Sequence, residues 1–476
     1  MIDNPKAQTF FIDTEISENY QEDILEFIIQ NYLKIRPEYF ENIEKTTIND
    51  FDELSFVVKD PVRLFRVKAK IKSLNPLEIT LLPDENASPE LTESIKQDLF
   101  FIIHAFEENI LSSTLYFSWV EGEDIIPEKP PKTRKKVGDR LFTSSGLILT
   151  YVLFFGFNII LYLFIGIYAV FVILGTMFLI VLFSNKLLSA RSNWKITPEN
   201  PYVHILEYQL PFEEFKEFQE KFGKETVIQI KKEIYDRTFA RKTEPNCKIG
   251  DEVLKKYGFY CNPRSNISKV VNVYDIVKKA ADSFNLPTPK IVISNTMVPN
   301  AAATGPSPSR GLVLITTGLL VHLNEEEILS VIGHEMGHLQ GRDPLILFGI
   351  IAGEFIFRLT VIAPNIPVNP FLYLIFIFAV IFFIAKFFET RADLLSAMKI
   401  GKPRVLAEAL KKIAYKRLQM ERISRSKIPG WLAFDPHPPI YFRIDRLERM
   451  ETPVNVKNPL IQSAKDVFNG FISSFK

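Results

Sequence analysis

Cysteine is nearly absent from this chain: Cys247 and Cys261 are the only two among 476 residues, and they form no C-x-x-C pair. That excludes a disulfide framework and a cysteine-based metal centre. A single bridge between them stays open, with a reduced, structural pair as the expectation. Charge of one sign is also lacking, since 57 Lys and Arg face 56 Asp and Glu for a net charge of +1. With no dominating basic field, no nucleic-acid partner is expected. The first thirty residues are rich in Asp and Glu and lack a basic segment ahead of an apolar core. No secretory signal peptide is therefore expected there. There is no internal repeat and no glycine-rich loop of the kind that cradles phosphate.

Long apolar runs are what the chain does have. Residues 141–184 contain no charged side chain, whereas one bilayer crossing needs only about 20 residues. Two crossings joined by a turn near Tyr162 to Gly166 fit this stretch, with Gly156 and Asn158 offering an earlier turn. Lys129, Lys132, Arg134, Lys135, Lys136 and Arg140 precede it, and Lys186, Arg191 and Lys195 follow. By the positive-inside rule both flanks are cytoplasmic. A second apolar pair runs from about Pro344 to Pro364 and from Phe371 to Phe388, around the uncharged turn Asn365 to Pro370. Glu354 and Arg358 sit four apart within it and read as an ion pair that partly neutralises itself.

Residues 334–338 read His-Glu-Met-Gly-His. Composition alone would produce such a string in about one in 200 sequences like this one. Asn324 followed by Glu325, Glu326 and Glu327 is a helix start, and Ile328, Val331 and Ile332 carry the apolar pattern into the motif. On a helix, His334 and His338 project from one face toward a common point and can share a metal. Glu335 is placed to take a proton from a water that the metal activates. A catalytic zinc takes three protein ligands and keeps one position open, so a third must come from elsewhere. Glu389, in Glu389-Thr390-Arg391-Ala392-Asp393, is the candidate.

These residues resemble those of the membrane-embedded zinc metallopeptidases that include the heat-shock protease HtpX and the CAAX-prenyl protease. The resemblance rests on Asn300-Ala-x-Ala-Thr-Gly, Thr317 to Leu320, the His334 motif, Glu389-x-x-x-Asp393, and His437-Pro438 with Arg443 six residues on. It covers roughly residues 267–450. It implies one Zn2+ per chain held by His334, His338 and Glu389, with Glu335 activating water. It also implies that Asp393 orients a ligand, that His437 assists the developing oxyanion, that Arg443 supports His437 or the Glu389–Asp393 region, and that Asn300 and its strand bind substrate backbone. Ala302 stands where the family commonly has an aromatic.

The expected protein is an α-helical membrane protein with α+β soluble parts, four transmembrane helices as two hairpins and a zincin-like peptidase domain. Its segments are a soluble α+β domain (1–125), a basic linker (126–140), the first hairpin (141–184), a cytoplasmic insert (185–266) and a peptidase domain (267–476) that includes the second hairpin (344–388). In the first of these, helices are expected near Tyr20 to Tyr32 and Pro89 to Ile110, and strands at Leu64 to Ile71, Leu77 to Leu82 and Thr114 to Val120. The implied function is a multi-pass zinc endopeptidase in the lipid bilayer of the cell membrane, its active site cytoplasmic, acting on membrane or misfolded proteins. A metal-stabilised scaffold without catalysis and a protease for prenylated peptides are the alternatives. Four crossings rather than a larger helical barrel argue against the latter.

Overall fold

The computed structural model describes residues 7–12, 14, 21–48, 51–59, 65–74, 76–84, 87, 89–112, 114–126, 156–157, 160–190, 192–210, 218, 221–259, 266–362, 369–415, 417–418, 421, 428–433 and 435–475. By contact the chain divides into two units, 1–117 with 206–268 and 118–205 with 269–476. The linear division into 1–125 and 185–266 therefore cuts differently. The chain leaves each unit and returns to it, which no composition boundary records.

In the first unit, antiparallel strands run in the order Gln8–Ile12, Leu77–Pro83, Arg66–Lys72, Phe51–Lys59, Phe40–Ile48. Val67, Ala69 and Ile71 alternate with exposed or half-buried neighbours, as do Leu77, Ile79 and Leu81. That period of two buries one sheet face. It packs with Ile24, Leu25 and Ile28 of Gln21–Ile28 and Ile95, Leu99 and Ile103 of Pro89–Ser112. Strand Phe40–Ile48 lacks an apolar alternation; its pairing is reinforced by charge, as where Lys45 meets Asp52 at 2.7 Å. Cys247 is a free thiol, and Cys261 lies outside the described residues.

The second unit holds a four-stranded sheet in the order Ala301–Thr304, Leu312–Thr316, Lys290–Ser294, Trp194–Ile196. The two central strands are parallel and both outer pairs antiparallel. Trp194–Ile196 comes from the stretch that sequence alone reads as an insert. Helix Val273–Ser283, capped by the Asn272 side chain, buries Val273, Ile276, Val277, Ala280 and Ala281 in the same core. A further sheet has the strand order Thr114–Val120, Tyr202–Gln209, Ile267–Asn272.

Among the described residues one helix, Asp343–Ile362, is long and apolar enough to cross a membrane: 20 residues, mean hydropathy 2.2, with no buried residue in its apolar stretch. Its end, Arg358–Ile362, widens into a π-helical turn. The shorter apolar helix Ala169–Leu182 packs against it, with the Phe178 and Phe348 ring centroids 5.6 Å apart. A 3₁₀ turn at Gly166–Tyr168, with Gly166 at φ 55°, interrupts the chain where the first turn is expected. Residues 141–155 and 363–368, and with them the start of the first hairpin and most of the second turn, lie outside the described residues, as does the linker from 127. Glu354 meets Arg358 at 3.3 Å and accepts from the Tyr373 hydroxyl at 3.2 Å. Helix Pro370–Lys399 is unbroken for 30 residues, about 45 Å. The apolar segment and the Glu389–Asp393 motif thus share one rigid rod.

Candidate active site

The motif helix, Glu325–Gly341, begins with reciprocal capping. The Asn324 side chain accepts from Glu327 N at 2.9 Å, and the Glu327 carboxylate accepts from Asn324 N at 2.9 Å. Two orphan donors are satisfied and the acidic first turn suits the helix dipole. The helix stops at Arg342, whose φ of 53° is left-handed, and the apolar helix starts at once with Pro344 in its first turn. A change of direction is thereby built in directly after His338.

Two glycines let the ligand helix come close. A Cβ on Gly337 would lie 3.0 Å from the Ala392 Cα, and one on Gly333 would lie 2.5 Å from Ile400 Cγ1 and 2.8 Å from Ser396 Oγ. Ser396 Oγ donates to Ser330 O at 2.8 Å across the same contact. With the backbones that close, ligand atoms of His334, His338 and Glu389 fall within 4.8 Å of one another. His334 Nε2 is 3.5 Å and His338 Nε2 3.3 Å from the Glu389 carboxylate, and the two Nε2 atoms are 3.1 Å apart.

Carboxylates hold the far side of each ring. Asp393 Oδ1 is 2.9 Å from His334 Nδ1, and Asp343 Oδ2 is 2.8 Å from His338 Nδ1. These contacts turn both Nε2 atoms toward the same small volume, beside a Glu389 oxygen buried without a hydrogen bond. Three electron-rich donors at this spacing need a cation between them, and two imidazoles with one carboxylate are a zinc-type set. The surrounding charge agrees. Burial alone would lower the His338 pKa, but the hydrogen bonds to Asp343 and Glu389 outweigh it and push it up to about 10. The field that attracts a proton there attracts a metal ion.

The carboxylates are anchored in turn. Arg443 grips Asp393 with two hydrogen bonds of 2.8 and 2.7 Å and approaches Glu389 to 3.3 Å. Burial opposes ionisation of Asp393, yet Arg443 and His334 hold it well below the usual carboxylate range. Arg443 thus supports the Glu389–Asp393 region. Arg391 donates to Asp343 in a buried pair.

His437 approaches from a loop, its Nε2 3.8 Å from Glu389 and its side chain 46 % exposed. Asp435 accepts from His437 N at 2.8 Å and lies 3.0 Å from its Nδ1, fixing the ring. Burial works to raise the Asp435 pKa, but His437 and Arg417 bring it down to about 2. Lys386, buried on the ligand helix, donates to the carbonyls of Ala433 and Asp435 at 3.0 and 2.6 Å. Asp343, Arg391, Lys386, Arg417 and Asp435 escape a reading of sequence. Asp435, two residues before His437, carries the one local signal among them.

Asn300 directly precedes the outermost strand, exposed, with its backbone O accepting from Thr316 N at 3.0 Å. That bond makes Asn300, Ala302 and Thr304 the residues paired to the neighbouring strand, so Ala301 and Ala303 turn their backbone groups to the open edge. Ala303 N donates to Glu335 Oε2 at 2.7 Å. The free edge and the motif glutamate are therefore adjacent.

A model of peptidase family M48 matches residues 269–451. A protease HtpX homolog from Thermodesulfovibrio yellowstonii is 34% identical over 218 residues, which cover 37% of this chain and 74% of that one. The chain belongs to peptidase family M48. Protease HtpX homologs from Pyrococcus abyssi and Dictyoglomus thermophilum are each 30% identical, covering 38% and 43% of this chain and 74% and 76% of theirs. Among solved structures, S. mikatae Ste24p matches 36% of this chain and 49% of its own at 18% identity, with a TM-score of 0.26. The M48 match takes in the edge strand, the motif helix, the ligand helix and the His437–Arg443 segment. The strands and helices of residues 7–112 lie outside that match.

Proposed function

We propose that this M48 peptidase is a membrane-anchored zinc endopeptidase, crossing the bilayer four times as two hairpins, that cleaves membrane or misfolded proteins on the cytoplasmic side. The observation that carries this reading is the convergence of His334 and His338 with Glu389 beside Glu335 and a strand edge, Glu389 lying on a helix continuous with an apolar segment. His334, His338 and Glu389 would hold a zinc ion, which when bound would supply Lewis acidity and lower the pKa of a water to about 7. Glu335, steadied by the Ala303 N–H, is placed to take a proton from the attacking water. A substrate segment pairs with the backbone of Ala301 and the carbonyl of Ala303 as an added strand, Asn300 setting its register, which brings a peptide carbonyl to the motif. His437, aligned by Asp435, donates to the oxyanion of the attacked peptide. Asp393 and Arg443 keep the His334 ring and Glu389 in place. The basic flanks of 141–184 support cytoplasmic ends, and the substrate class rests on the resemblance of the site residues to the HtpX-like peptidases and on that location.

The test is zinc content together with casein cleavage for the full chain in detergent, beside Glu335→Gln and Glu389→Ala. The expected result is stoichiometric zinc in the parent, cleavage abolished in both variants, and zinc lost from Glu389→Ala alone. Parental cleavage by Glu335→Gln would overturn the role of Glu335, and a parent that binds no zinc would overturn the enzyme reading.

A further inference from the structure

The last helix, Pro459–Ser473, is started by the Asn458 side chain, which accepts from Leu460 N and Ile461 N. With successive residues about 100° apart, it has three faces rather than two. Ser463, Val467, Gly470 and Ser474 form a buried face. A Cβ on Gly470 would lie 2.5 Å from the Phe442 ring and 2.7 Å from Trp431. Gln462, Lys465, Asp466, Asn469 and Ser473 form a polar face, on which Asp466 is paired to Arg446 at 2.7 Å and accepts from Gln462 at 2.7 Å. Between them, over an arc of about 120°, Leu460, Ile461, Phe468, Ile472 and Phe475 stand exposed, Phe468 at 57% and Phe475 at 60%. A helix facing only water has no use for such an arc.

What covers this face follows from its neighbours. Phe471 packs edge-on against Phe383 of the ligand helix with centroids 5.8 Å apart, and against Trp431 at 6.2 Å. An apolar pocket of about 250 Å³, lined by Phe376, Val380, Phe383, Trp431, Leu432 and Phe471, fills the seam. The exposed apolar surface therefore continues from the ligand helix, where Leu372 and Phe376 are 63% and 64% exposed, through Leu432 onto this arc. Lys465 stands at the border of the apolar and polar faces, where its stem can lie along the lipid and its ammonium reach the headgroups. The only acid on the helix, Asp466, is neutralised by Arg446.

We propose that Pro459–Ser473 is an interfacial helix lying in the headgroup–acyl boundary of the membrane that the hairpins cross, with Leu460, Ile461, Phe468, Ile472 and Phe475 in lipid. It rests on the reading above that the ligand helix enters that membrane. The helix fixes the depth of the metal site at the bilayer surface, since it grips the ligand helix within two turns of Glu389.

Spin labels on the full chain, in a Cys247→Ser, Cys261→Ser background and in phosphatidylethanolamine–phosphatidylglycerol vesicles, test this. Labels go singly at Ile461→Cys, Phe468→Cys and Ile472→Cys, at Lys465→Cys and Asn469→Cys on the polar face, and at Leu372→Cys and Phe376→Cys on the ligand helix. Collision with oxygen is compared with collision with a water-soluble nickel chelate. The expected result is oxygen-dominated collision at 461, 468 and 472, at a depth of about 5–10 Å, and nickel-dominated collision at 465 and 469. Nickel-dominated collision at 461, 468 and 472, with 372 and 376 in lipid, would overturn the interfacial helix and leave the membrane reading standing. Nickel access at 372 and 376 as well would overturn that reading and this one with it. Protection from both reagents at 468 and 472, relieved on dilution, would overturn it in favour of a second copy of the chain. Because the three apolar sites lie on different turns, one variant that fails to fold does not remove the measurement.

Discussion

Removing the Asp343 carboxylate should loosen the metal without touching a ligand. Asp343 is buried and serves two groups: its Oδ2 is 2.8 Å from His338 Nδ1, and its Oδ1 accepts from Arg391, which is buried too. In Asp343→Ala the His338 ring loses the acceptor that fixes its tautomer. Loss of such a partner lowers metal affinity about 10- to 100-fold, or ~1.4–2.7 kcal/mol. Arg391 is left as a buried charge without that carboxylate, which costs about 3–5 kcal/mol of stability. The two effects separate by design. Asp343→Asn keeps an acceptor for His338 and should lose metal affinity least, while Asp343→Ala with Arg391→Leu should recover much of the stability and none of the affinity. Zinc affinity by chelator competition and thermal unfolding of the same detergent-purified samples read the two quantities. Zinc affinity in Asp343→Ala within about twofold of the parent, well short of the expected loss, would refute the claim that Asp343 sets the His338 tautomer.

Gly337→Val should force the motif and ligand helices apart, at about 1–3 kcal/mol from overpacking, and lower zinc occupancy. Gly349, with nothing within 4 Å of a Cβ, is the control: Gly349→Ala should leave occupancy unchanged, and equal losses in the two variants would contradict the packing argument. Lys386→Met removes both hydrogen bonds from the ligand helix to the loop that carries His437. It should cut kcat by about 100-fold through misplacement with zinc content unchanged, and a loss seen in KM alone would assign the loop to substrate binding instead. Asp435 has its pKa depressed to about 2, so its contribution to stability is present above its ordinary value near 3.9 and is lost as pH falls toward 2. The difference in melting temperature between parent and Asp435→Asn should be constant from about pH 7 to 5 and shrink below about pH 4. A difference that does not change with pH would show that the ion pair is not its source.

What the sequence by itself determined is what lies within one helical turn or one uninterrupted run. The four-residue spacing of His334 and His338, the capping pair Asn324 and Glu327, and the 389–393 spacing are such features, because helix geometry converts them into a shared face without further information. The apolar stretches after 141 and after 343 are legible for the same reason, and so are the alternating strands Arg66–Lys72 and Leu77–Pro83. Strand Phe40–Ile48 was not legible, since its charged cross-strand pairs leave no apolar period in it, whereas Phe51–Lys59 carries the period of two at Leu54, Phe56 and Val58 and was passed over. Tertiary structure alone decided that 206–268 groups with 1–117, and that Trp194–Ile196 joins the sheet beside the site. It alone brought Asp343 and Arg391, 48 residues apart, to the back of His338, and Lys386 beneath the His437 loop. It also gave the final helix a third, lipid-like face. Contacts between residues far apart in sequence depend on how closely two helices approach, here through Gly333 and Gly337, and no spacing rule within one segment can encode that distance.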